Sequence, residues 1–239
     1  CGAGRVRGDG DVAVGLGGRG SVTNQSGGKV TCTTLGVGLG AAGTLTNKGQ
    51  GSAIAAFSTG VQGSGPGNVV SNLGGASISG GIFGVGVALT NGGTVLNDGA
   101  DATSTASKIS GGITGVSISG AGSLTNSNGA QINGGGIFPG VGAMLAAGST
   151  LANNSGASIN GSATGVSLDG LSSLRNSTNA SISGVSIGVA VGSGGGSITN
   201  AANSTISGGM NSVTSTGPTT LVNAGRLVGD VGLDANAQH

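Results

Sequence analysis

Gly115-Val-Ser-Ile-Ser-Gly120, then Gly122-Ser-Leu-Thr-Asn126, then Ala130-Gln-Ile-Asn-Gly134 are three short segments, each alternating apolar with small residues. Alternation of period two is the signature of a strand with one buried face. Gly, Ser and Asn separate the segments, where turns need positive φ or hydrogen bonds from side chain to backbone. Three such strands cannot bury themselves alone. They need copies stacked above and below.

Working outward from this stretch, the copies appear. An apolar residue, any residue, then Asn recurs nine times, at Val22–Asn24, Leu45–Asn47, Val70–Asn72, Val95–Asn97, Leu124–Asn126, Leu151–Asn153, Leu174–Asn176, Ile198–Asn200 and Leu221–Asn223. The asparagines are 23, 25, 25, 29, 27, 23, 24 and 23 residues apart. A near-constant period with occasional additions marks a solenoid whose turns accept loops. A second element, Ile-Ser/Asn-Gly, follows six residues after most asparagines, beginning at Ile78, Ile132, Ile159, Ile182 and Ile206. Ile109 is a displaced copy and Val30 takes the slot in the first unit. A third element places two apolar residues around a small one: Val37/Leu39, Val85/Val87, Val116/Ile118, Val166/Leu168 and Val189/Val191, with Val141/Ala143 shifted by two.

These periods predict an all-β fold: a right-handed, single-stranded parallel β-helix, or β-solenoid. Each coil of about 23 residues holds three short strands, and about nine coils at roughly 4.8 Å per rung make a rod about 43 Å long. The apolar slots point inward and stack in like-on-like columns, while the intervening Ser and Thr face solvent. The asparagines, at a strand end, are expected to form a ladder of side-chain amides. The repeat domain is read as residues 12–230, with a ragged N-terminal edge at 1–11 and a tail at 231–239, the whole being a fragment of a longer chain.

Composition points the same way. There are 57 Gly but only 3 Pro, and no collagen-like triplet period. Hydrophobic residues make up 36% of the chain and the net charge is +1, a poor match to disorder. Near-neutral charge gives no reason to expect nucleic acid, which binds through clustered Lys and Arg. Two cysteines do not define a disulfide framework.

The segments quoted at the outset resemble the repeats of autotransporter passengers and, more loosely, of filamentous haemagglutinin-type adhesins. The resemblance is one of repeat grammar and spans roughly residues 12–230. It implies export by type V secretion through a C-terminal outer-membrane β-barrel. It also implies display at the bacterial cell surface or secretion, and an adhesin acting on host cells, matrix or sibling cells. A passive stalk is the alternative, and a glycan-cleaving enzyme on the same scaffold a more distant one.

Chemistry-bearing residues are few. The single His is the final residue, so Ser186 in Gly184-Val-Ser-Ile-Gly188 has no base, although the pentapeptide fits the nucleophile-elbow pattern. The seven carboxylates, all Asp, do not share a face, whereas glycoside cleavage needs a pair about 5–10 Å apart. No catalytic residue, cofactor or metal site is therefore expected. Candidate partner contacts are the tripeptide Arg7-Gly8-Asp9, which integrin ligands use and which a Gly-rich edge also yields by chance, and two insertions, which are either binding loops or neutral loop growth. One insertion spans Asp98–Ser107 and includes Asp101; the other carries Phe138 and Pro139. Loop growth on a solenoid often falls on the binding face. The sequons at Asn24, Asn176 and Asn203 read as chance in a chain this rich in Ser and Thr.

Overall fold

The computed structural model describes residues 11–99 and 105–233, together with the backbone of residues 5–8. Among them are 27 strands and no helix. The strands fall into three columns, named here for the residues that mark them. The isoleucine face starts with Arg5–Gly8 and continues through Lys29–Cys32 and Ala53–Ala56. The valine face starts with Val12–Leu16 and Leu35–Leu39. The asparagine face has nine strands, from Gly20–Gln25 to Thr219–Asn223. Each strand pairs in parallel with its equivalents one coil before and after. Leu124, for example, lies opposite Val95 on one side and Leu151 on the other. The result is a β-solenoid of nine coils, each running isoleucine face, valine face, asparagine face, so that coil 5 spans residues 108–127. A final strand, Arg226–Gly232, begins a tenth rung, so pairing extends beyond 12–230 at both ends.

The interior follows the alternation. The nine apolar residues of the asparagine face form one continuous column, fully buried except at its two ends, where Val22 and Leu221 are partly covered. Val30, Ile54, Ile78, Ile109, Ile132, Ile159, Ile182 and Ile206 form the second column. Each of these side chains adds roughly 1.5–3 kcal/mol of hydrophobic stabilisation. Ile54 carries neither Ser nor Gly beside it, so the Ile-Ser/Asn-Gly pattern passes over it.

The valine face corrects two slots. The inward pair of coil 4 is Val87/Leu89, not Val85/Val87, and that of coil 6 is Ala143/Leu145, not Val141/Ala143. Val85 and Val141 instead pair with Thr114 at the strand start. Beside the inward pair runs a column the repeat pattern did not reveal: Gly36, Gly60, Gly86, Gly115, Gly142, Gly165 and Gly188. A Cβ on Gly115 would lie 2.5 Å from the Gly142 carbonyl oxygen and 2.7 Å from Ile132 Cγ2. Glycine there lets the valine strand press against the isoleucine column.

The asparagine ladder is complete. Asn24 Nδ2 donates to Asn47 Oδ1 at 2.8 Å, and the same bond repeats through every coil to Asn223 at 2.8–2.9 Å. Each interior amide also donates to main-chain carbonyls across the corner. Asn126 Nδ2 reaches the carbonyls of Ala130 at 3.2 Å and Ser158 at 2.9 Å. Stacked amide ladders of this kind reinforce repeating parallel sheets. Two of the sequon asparagines, Asn24 and Asn176, are members of the ladder. At this corner the chain turns through left-handed residues, such as Asn128 (φ 54°) followed by Gly129 (φ 74°).

Candidate functional site

The corner on the other side of the isoleucine face, where the chain turns onto the valine face, is built in the opposite sense. In most coils this turn is short, and Ile109 to Val116 is seven residues. Ile78 to Val87 is nine and Ile132 to Ala143 is eleven, so coils 4 and 6 each push a loop outward here. The tips of the turns are apolar: Phe57 in coil 3, Ile82 and Phe83 in coil 4, Ile113 in coil 5, Ile137 and Phe138 in coil 6, Val185 in coil 8 and Met210 in coil 9. All are solvent-exposed, from 40% for Ile113 to 78% for Ile137. Of thirteen exposed large apolar side chains among the described residues, these eight share one corner, and they include every Phe of the chain.

Behind Ile82, Ile113, Val185 and Met210 the chain carries a glycine in close contact with the preceding coil. A Cβ on Gly112 would meet the backbone of Ile82, and one on Gly81 the backbone of Phe57. The backbone therefore stays close-packed while only the next side chain can go outward. Phe83 and Phe138 lean together over coil 5, ring centroids 5.1 Å apart and tilted by 35°. Aromatic pairs of this geometry contribute roughly 0.5–1.5 kcal/mol beyond burial. Ser162 of coil 7 supports the longer loop from below. Its hydroxyl donates to the Phe138 carbonyl at 2.8 Å and accepts the Gly140 N–H at 2.9 Å. Coil 7 has no large apolar tip, only Ser162 and Ala163.

Of the residues expected from sequence to meet a partner, Phe138 and the exposed Pro139 belong to this corner. Arg7 and Gly8 lie in a strand, opposite Thr31 and Cys32, so two residues of the tripeptide are in sheet, not loop. Asp9 and Asp101 lie outside the described residues. Asp98 closes an asparagine-face strand, and its Oδ1 accepts a hydrogen bond from Asn128 Nδ2 at 2.8 Å. The insertion after it leaves the isoleucine face in register, with Lys108 opposite Ser77. The structure does not bring Asp98 to the apolar corner. Sequence reasoning missed Phe57, Ile82, Phe83, Ile113, Ile137, Val185 and Met210. The signal available was a Gly followed by a large apolar residue just past the isoleucine strand, as in Gly112-Ile113, Gly184-Val185 and Gly209-Met210.

The described carboxylates stand apart. Asp11 is in coil 1, Asp98 in coil 4, Asp169 in coil 7 and Asp230 on the tenth rung. Asp169 Oδ1 accepts the N–H groups of Gly170 and Gly194, each at 2.8 Å, and so pins a turn. Among the described residues no three His, Cys or Asp side chains gather as metal ligands would. A recess of about 530 Å³ near the first coils is lined by Val12, Leu16, Leu35 and Gln62, with no titratable side chain. Compared with protein-family models, curated proteins and solved structures, the chain finds no match.

Proposed function

We propose that this chain is a surface-displayed or secreted β-solenoid of the autotransporter-passenger kind, acting in attachment to host cells, matrix or sibling cells. The observation that carries this reading is the apolar corner. A soluble monomer rarely exposes a contiguous apolar patch above roughly 300–600 Å², and larger ones mark interaction sites. Six exposed large side chains in the unbroken run of coils 3 to 6, about half of each open to solvent, present on the order of 500 Å², at the upper end of that range, and Val185 and Met210 continue the corner beyond coil 7. The rest of the lateral surface supports the same reading. Most outward positions on the asparagine face, such as Ser21, Thr44, Thr94, Ser123 and Thr150, carry hydroxyls of the kind that keep a long rod soluble. The scattered carboxylates favour a binding rod over a glycan-cleaving enzyme.

The test is attachment of beads carrying the purified chain to epithelial monolayers and to immobilised matrix proteins. Wild-type beads are expected to attach. Beads with Phe57, Ile137 and Phe138 all changed to Ser are expected to lose most of that attachment. Equal attachment by the two would leave the passive-stalk alternative standing and remove the corner from the mechanism.

A further inference from the structure

The corner has a shape as well as a polarity. Coils 4 to 6 form its tall half, where the two longer loops and the Phe83–Phe138 contact raise Ile82, Phe83, Ile137 and Phe138 above Ile113. Coils 7 to 9 form its low half, with Ala163, Val185 and Met210 on short turns. Each half is three coils long, and both share the same rung spacing of about 4.8 Å.

We infer that the corner is the interface for a second copy of this chain, paired antiparallel about a two-fold axis between coils 6 and 7. Rotation about that axis sets the tall half of each copy against the low half of the other. Coil 4 then meets coil 9, coil 5 meets coil 8 and coil 6 meets coil 7. Ile82 contacts Met210 of the second copy, the Phe83–Phe138 pair lying over coil 5 contacts Val185, and the Phe138 loop packs on Ala163. A two-fold interface requires this reciprocity, in which one patch is complementary to itself. The constant rung spacing keeps all three contacts in step.

Area and charge agree with a second copy as the occupant. A standard stable interface buries about 800 Å² per partner, and the seven tips of this corner in coils 4 to 9 offer roughly three quarters of that in apolar surface alone. Its eight tips include no charged side chain, and the chain's net charge of +1 adds little repulsion between copies. Aromatic and Met side chains are the ones enriched in interface cores. The inference deepens the attachment reading by naming one partner, and it rests on that reading for its biological setting alone.

Sedimentation velocity on the purified chain at micromolar concentrations tests it. Wild type is expected to sediment as a dimer. Ile82→Asp and Met210→Lys are each expected to weaken dimerisation at least tenfold, because each homodimer must bury two unmatched charges. Mixed in equal amounts, the two variants are expected to recover a dimer, since one Asp then faces one Lys and the other contact is wild type. Thr150→Lys, on the exposed side of the asparagine face, is expected to leave the dimer intact. Circular dichroism confirms that each variant keeps its β signal. A wild type that stays monomeric overturns the inference, as does dissociation by Thr150→Lys equal to that by the corner variants. Failure of the folded mixture to recover a dimer overturns the antiparallel pairing. Attachment is scored separately on beads. A monomer that still attaches defeats the self-pairing and spares the adhesion reading, whereas a dimer that attaches to nothing does the reverse.

Discussion

Two corners flank the isoleucine face, and they depart from apolar-inside, polar-outside packing in opposite directions. At one, a column of amides lies inside, with Asn47 through Asn200 wholly buried. At the other, eight large apolar side chains lie outside. The first departure is compensated within the chain. Every interior amide gives and receives a hydrogen bond along the ladder and donates across the corner to carbonyls, so burial leaves it satisfied. The second departure has no compensation within one chain, apart from the Phe83–Phe138 contact. Internal satisfaction identifies a structural device. A cost left open is what the proposed association would remove. Substitutions at the two corners should therefore differ in kind: the ladder in stability, the tips in association.

The largest effect is expected at the middle of the ladder. Asn126→Leu removes the acceptor for Asn97 Nδ2, the donor to Asn153 Oδ1 and the donor to two carbonyls. Leaving buried groups unpaired costs about 1–3 kcal/mol each, so a loss of roughly 3–5 kcal/mol follows once partial relaxation is allowed. Urea denaturation followed by circular dichroism reads it. A loss under about 1 kcal/mol would mean the amides are not a structural device, and the contrast between the corners would dissolve.

Next comes a change within the apolar corner that should behave like a core mutation. Gly112→Ala puts a Cβ into the backbone of Ile82. Overpacking of this kind typically costs about 1–3 kcal/mol. If so, the corner divides sharply between a close-packed inner residue and a free tip one position later. The same denaturation series on Gly112→Ala and Ile113→Ser separates them. Equal losses for both would show the tips to be part of the fold.

The sequence shows one of these corners much better than the other. The ladder is legible because Asn recurs at a fixed offset from an apolar residue, and a repeated polar residue beside a buried column has few other uses. The column from Val22 to Leu221 is legible for the same reason. The valine face is less so. Val85-Gly-Val87 and Val87-Ala-Leu89 both satisfy the pattern of two apolar residues around a small one, and period two cannot choose between frames offset by two. Burial of Leu89 beside Val87 settles the choice. The tips of the second corner occupy turn positions, where repeat length varies and no alternation applies. That Phe57, Phe83 and Phe138 share one edge depends on the sum of several insertions, which only the folded chain adds up.

A smaller effect separates the end of the ladder from its middle. Asn223 is exposed, receives one bond from Asn200 and donates to the Gly225 carbonyl at 3.2 Å. Asn223→Ala is expected to cost about 0.5–1 kcal/mol, the net contribution of one solvent-accessible hydrogen bond. A loss as large as that of Asn126→Leu would mean the ladder acts as one cooperative chain and not as separate rungs.

The smallest stability change is expected at the most exposed tip. Ile137 is 78% exposed, and Ile137→Ser removes little buried surface from a single chain. Below the concentration at which copies pair, its denaturation midpoint should match wild type to within about 0.5 kcal/mol, as for surface substitutions generally. Above that concentration the wild type alone should gain stability, because anything that binds only the folded chain stabilises it by mass action. The gap between the two proteins is then a function of concentration, which no intramolecular role for Ile137 produces. A gap constant from dilute to concentrated solution would assign the side chain to the fold and leave the apolar corner without its distinguishing property.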